Sequence, residues 1–124
     1  MNASTKKVLA EELLQCGDVA VHFDPRASGV VLPERLRKGP SVFLPALSVF
    51  VRGPIDDGFR LPILEQEQFF EAFAPWETIF ALVLIGGRGE GHVWTEDMPH
   101  DLPVADRRIC RLCVRLARSV MPAR

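Results

Sequence analysis

The sequence predicts a mainly β, α+β fold: one helix, about seven short strands joined by Gly/Pro turns, and a closing helix. An apolar stripe of helical spacing opens the chain, short alternating runs bounded by turn residues fill its middle, and a second helical stripe ends it. That order suggests a small, strongly bent sheet or partly open barrel with helices closing its ends.

Residues 4–17 read as the first helix. Leu9, Leu13 and Cys16 recur at helical spacing with Val8 and Leu14 beside them, while Lys6, Lys7, Glu11 and Glu12 fall largely elsewhere on the wheel. Ser4 or Thr5 is expected to cap its first amides and Gly17 to supply a left-handed C-terminal cap. Residues 18–24 alternate, with Val19, Val21 and Phe23 on one face of a strand and Ala20 and His22 on the other. A turn cluster at 24–29 leads to a short strand at 29–32, and 33–40 reads as a charged loop.

Residues 41–51 form the longest β-like run. Pro45 cannot donate to a ladder, so this strand belongs at an edge or at a bulge. The turn at 52–58, with Asp57-Gly58, predicts a hairpin. Strands at 59–65 and 68–74 follow; in the second, Phe69, Glu71 and Phe73 share one face, and Phe70 and Ala72 the other. Pro75 opens one helical turn before a strand at 81–85, a glycine loop at 86–91 and a returning strand at 92–95. A final helix over 105–120 carries Ile109, Leu112, Leu116 and Val120 on one stripe and Arg108, Arg111, Arg115 and Arg118 on another.

The 124 residues, 48% apolar and 25% charged, suit one globular domain, divided here into a β-rich unit over 1–104 and the basic helix over 105–124. A net charge of -1 gives no global field for nucleic acid or an anionic membrane, and no run approaches the ~20 apolar residues of a bilayer span. Three cysteines are too few for a disulfide framework, and the first residues lack the apolar run of a signal peptide, so the cytoplasm is the expected location.

No residue pattern singles out a catalytic centre. The glycine loop at 86–91 is followed by a strand rather than the helix a phosphate loop needs. Cys110 and Cys113 have CxxC spacing but sit inside a predicted helix with no second ligand pair, so small apolar packing is favoured over zinc or redox chemistry. His92, Glu96, Asp97, His100 and Asp101 fit neither a helical face nor a compact metal loop, and read as polar side chains exposed where a strand runs out into a loop. None of Ser4, Ser28, Ser41, Ser48 and Ser119 has a neighbouring His or Asp that marks a nucleophile. The chain is therefore expected not to be an enzyme and to need no cofactor or metal.

Phe69 and Phe70 point to opposite faces of one strand, so one of them covers the core while the other is covered or lines a groove. A β-rich domain with an apolar groove beside an edge strand can bind an extended peptide. The segment Pro75-Trp76-Glu77-Thr78-Ile79-Phe80-Ala81-Leu82, the glycine loop, and Val93-Trp94-Thr95-Glu96-Asp97-Met98-Pro99 resemble the corresponding stretch of the SspB family of proteolysis adaptors. Residues 24–33 resemble that family's second-strand segment.

The resemblance implies an N-terminal helix on a small SH3-like β barrel, dimeric through that helix. It also implies an activity: binding the ssrA-type C-terminal tag of tagged protein substrates and tethering them to a ClpX-type unfoldase, so that local concentration at the protease rises. Where that family commonly carries a long acidic tail and a docking motif, an arginine-rich helix is expected here.

The groove is expected to involve Phe50, Phe70, Ala72, Phe73 and Ala74, and Arg108, Arg111, Arg115 and Arg118 to dock the partner. The alternative is a small-barrel RNA-binding module using the arginine helix. Nucleic acid is disfavoured, because no aromatic–basic stripe alternates along a strand.

Overall fold

The computed structural model describes residues 2–47, 54–55 and 57–102; Phe50, Cys110, Cys113 and the helix expected over 105–120, with its four arginines, lie outside the described residues. The chain begins with α1 (Asn2–Cys16), followed by β1 (Val19–Phe23), β2 (Val42–Ala46), β3 (Pro54–Ile55), β4 (Gly58–Glu65), β5 (Gln68–Pro75), β6 (Ile79–Leu84) and β7 (Gly91–Val93). Single 3-10 turns occupy Glu34–Leu36, Trp76–Thr78 and Thr95–Asp97. This is an α+β protein with an N-terminal helix and antiparallel sheets.

The strands form two sheets in the orders β2-β1-β6-β7 and β3-β4-β5. No closed barrel forms among the described residues, which fall into these two sheets. Residues 29–32, expected as a strand, form no named strand. That segment contributes a single bridge, Val31 to Phe73, and Pro33 has no N–H with which to extend the pairing toward Glu71. Pro45 does put its strand at an edge: β2 is the outer strand of the larger sheet.

α1 starts earlier than expected, so Ser4 and Thr5 lie within it rather than capping it. It ends where Gly17 donates to the Leu13 carbonyl (3.1 Å), without a left-handed cap. Leu9, Ala10 and Leu13 are buried, whereas Val8 and Cys16 are exposed. The buried stripe joins Val19, Val21 and Phe23 of β1, Leu82 of β6, Phe59 and Leu61 of β4, Ala72 and Ala74 of β5, and Trp76, in one core between the sheets and the helix. Full burial of a side chain such as Phe59 or Leu61 contributes roughly 1.5–3 kcal/mol.

A bulge lies between β1 and β6, where His22 faces Ala81 but Phe23 faces Ile79. The extra residue, Phe80, thereby turns to the opposite side of the sheet, where it forms a second cluster with Ala81, Val93 and Leu102. No helix among the described residues is long and apolar enough to cross a membrane.

Candidate functional site

β4 and β5 form a hairpin in unbroken register from Gly58–Pro75 to Glu65–Gln68. Its two turn residues, Gln66 (φ 50°) and Glu67 (φ 65°), are both left-handed, as the tight turn matching strand twist requires. Phe59, Leu61, Ala72 and Ala74 face the core, while Arg60 and Glu71 are exposed on the other face.

The backbone alternates as well. In an antiparallel pair each residue directs both its N–H and its C=O to one neighbour, and the next residue directs them to the other. Phe73 exchanges two hydrogen bonds with Val31, at 2.9 and 3.0 Å, on the side away from β4. Glu71, two residues away, therefore turns its N–H and C=O to the same outer edge. The Val31 bridge is not continued past Pro33, and among the described residues no further strand pairs with β5 on that side.

Beside this edge lies the loop after Val31. Gly29, in a left-handed conformation (φ 88°), turns the chain, buried Leu32 anchors it, and the Arg37 guanidinium donates to the Val30 carbonyl (2.9 Å). Arg35 reaches across to the far end of the hairpin, where its Nε donates to both Glu65 carboxylate oxygens at 2.7 and 2.6 Å. The bonds from Arg35 hold the Glu65 carboxyl below the usual carboxylate range and raise the arginine correspondingly. Between loop and hairpin is a cleft of about 610 Å³, lined by Leu32, Pro33, Glu34, Arg37, Lys38 and Phe70. Its lining is mixed, with Leu32, Pro33 and Phe70 beside two cations and one carboxylate, which suits an extended segment with an apolar side chain and an acidic group.

The structure separates the residues expected to form the groove. Ala72 and Ala74 are fully buried in the core, and half-buried Phe70 packs against that core while lining the cleft. Phe73 is half-buried at the Val31 bridge and does not share their face. Phe50 and the four arginines are outside the described residues.

A second cavity of about 430 Å³ lies between α1 and the edge strand β7, lined by Ser4, Thr5, Val8, Leu9, Glu12, His92 and Trp94. His92 meets the Trp94 ring edge-on at 4.8 Å. The other polar residues of that region take separate roles. Asp101 receives two bonds from Arg26 (2.7 and 2.9 Å), and Asp97 pairs with Lys6. Among the described residues, no three His, Cys, Asp or Glu side chains gather where a metal ion could be held. In the glycine loop the Glu90 carboxylate accepts the Arg88 N–H (2.6 Å); its own amide and that of Arg88 hold its carboxyl below the usual range. One amide that could meet a phosphate is thus filled by the loop's own carboxylate.

Lys6 is the residue the sequence reading misplaced. It is fully buried, donating to the Trp76 carbonyl (2.7 Å) and to Asp97 (2.8 Å), with its ammonium 5.3 Å from the centre of the Trp94 ring. The signal was available: Lys6 lies three, four and seven residues before Leu9, Ala10 and Leu13, on the buried stripe of α1.

No protein-family model matches this chain, and no curated protein aligns with it.

Proposed function

We propose that this chain is a peptide-binding adaptor of the SspB type. It takes an extended C-terminal degradation tag along the outer edge of β5 and delivers the tagged protein to a ClpX-type unfoldase. The observation that carries the reading is the outward-facing backbone of Glu71 beside a cleft whose lining combines Leu32, Pro33 and Phe70 with Arg37 and Lys38. A tag added as the next strand would hydrogen-bond to that backbone, which supplies affinity whatever its side chains are. Leu32 and Phe70 would receive one apolar side chain, and Arg37 and Lys38 would favour an acidic neighbour. No bond is broken in this mechanism; delivery follows from raised local concentration once substrate and unfoldase are held together.

Pairing of two copies through α1 completes the proposal. Val8 is exposed on the helix and borders the α1–β7 cavity, so it offers an apolar contact for a second α1.

Fluorescence anisotropy of a labelled tag peptide ending in Leu-Ala-Ala, titrated with the purified chain, tests the reading. Saturable binding that weakens only modestly with added salt is expected, because the contacts are mainly backbone and apolar. Absence of saturable binding would overturn it, and a steep loss with salt would favour the RNA-binding alternative when repeated with single-stranded RNA.

A further inference from the structure

The two most exposed large apolar side chains among the described residues face each other at the end of the β4–β5 hairpin. Phe69 (72% exposed) and Leu64 (64%) are register partners on its outer face, away from the core. The pairing fixes how they are presented. Phe69 lies two residues from Glu71 and four from Phe73, so it too turns its N–H and C=O to the outer edge of β5 rather than to β4. Leu64–Phe69 is therefore a non-hydrogen-bonded pair, in which side chains lie closest, and the two form one apolar ledge. Pro62 opposite Glu71 agrees with that pattern, since such a position needs no N–H toward its partner. Exposed apolar patches of this kind mark contacts.

We infer that this ledge is the second specificity element of the peptide edge, so that the recognised peptides carry two adjacent large apolar residues, one for the cleft and one for Phe69. The inference rests on the peptide-edge reading above. The ledge is continuous with that edge: Glu71 and Phe69 present backbone groups to the same side, about 7 Å apart along β5. A strand seated on both places successive residues opposite Glu71, Phe70 and Phe69. Side chains alternate, so the residue opposite Phe70 turns with it toward the cleft. The next residue, opposite Phe69, turns to the outer face and lies against the Phe69 ring. This adjacency holds for a parallel and an antiparallel strand alike, because both directions keep the alternation. The loop after Val31 bounds the inner side alone. Arg35 crosses to Glu65, which alternation groups with Leu61 and Ile63 on the core face, and Phe69 on the other face stays exposed. The residue opposite Glu71 meets the Arg60–Glu71 pair (3.6 Å) instead, so apolar selection ends there.

The test titrates the full-length chain against three labelled peptides: one with Leu-Leu at the centre of a Ser/Asn background, and its Leu-Ser and Ser-Leu versions. The proteins are wild type, Phe69→Ser, and Phe43→Ser as a control that removes an exposed ring from the other sheet. With wild type, the Leu-Leu peptide should bind about three- to fivefold tighter than either single-leucine peptide, whose one leucine goes to the cleft. Phe69→Ser should erase that advantage and leave the single-leucine affinities in place, while Phe43→Ser should change none of the three. A Leu-Leu advantage that survives Phe69→Ser would overturn the inference and leave the peptide edge standing. An equal loss for all three peptides would do the same, marking Phe69 as a support for the hairpin. Absence of saturable binding of every peptide to wild type would overturn the edge reading itself, and the inference with it.

Discussion

The segment from Pro75 to Pro99 and the β4–β5 hairpin meet at Pro75, but they use their residues in opposite ways. In the segment, identity matters at two positions: the Trp94 ring and the Asp97 carboxylate, together with the backbone carbonyl of Trp76, surround the buried Lys6 ammonium and lock α1 to the sheet. A buried ammonium tolerates few surroundings, so this node needs particular side chains at fixed positions. In the hairpin, position matters more than identity. The outer edge of β5 consists of backbone groups, which every residue but proline carries. The part of the sequence with the most distinctive motif is therefore an anchor, and the part proposed to bind has no motif to show.

The largest effects belong at the anchor. Asp97→Ala leaves Lys6 buried without its carboxylate and should cost about 3–5 kcal/mol, read as a lowered urea midpoint. Lys6→Met should cost less, because Asp97 is partly exposed and can turn to water. Loss of under about 1 kcal/mol in Asp97→Ala would show that the node is not what holds α1.

His22 gives the next effect. Burial lowers its pKa from 6.5 to about 4. The unfolded chain then binds the proton more readily, so stability is complete above pH ~6.5, falls as pH drops toward 4, and has no further His22 loss below that. The contribution is at most about 3 kcal/mol. Urea midpoints of wild type and His22→Phe measured across this window should differ in slope, with the wild type steeper.

Smaller still is the hairpin turn. Gln66 and Glu67 hold left-handed conformations without glycine or asparagine, so Gln66→Asn with Glu67→Gly should stabilise the chain by about 1 kcal/mol in thermal unfolding. At the bottom of the scale, Arg35→Ala should barely move the urea midpoint, because Arg35 is exposed and its pair with Glu65 is screened. A large effect of Arg35→Ala and a small one of Asp97→Ala would reverse the comparison.

The same contrast explains what could be read in advance. Alternation at Val19–Phe23 and Gln68–Pro75 assigned strand faces, because a strand half-covered by the core must alternate. Pro45 disclosed an edge through its missing donor. Lys6 was misplaced because charge was given precedence over its position on the buried stripe. The division into two sheets was not legible, because sheet edges depend on pairings distant in sequence, such as Val31 with Phe73. The cleft was beyond reach for a similar reason: Leu32, Lys38 and Phe70 converge only through the turn at Gly29 and the Arg35–Glu65 contact. For the expected groove, alternation gave the faces of Phe70 and Phe73 but could not tell which had space beside it.

The claim that a peptide joins the outer edge of β5 is tested most directly by comparing Glu71→Pro with Glu71→Ala in tag-peptide titrations. Proline deletes the outward N–H and leaves the bonds to β4 in place, since those belong to the neighbouring residues, whereas alanine removes only the side chain. The account predicts a loss of about tenfold or more in affinity for Glu71→Pro, equivalent to one backbone hydrogen bond at ~1.4 kcal/mol, with Glu71→Ala close to wild type. Equal affinities for the two variants, in chains that unfold at the same urea concentration, would contradict it.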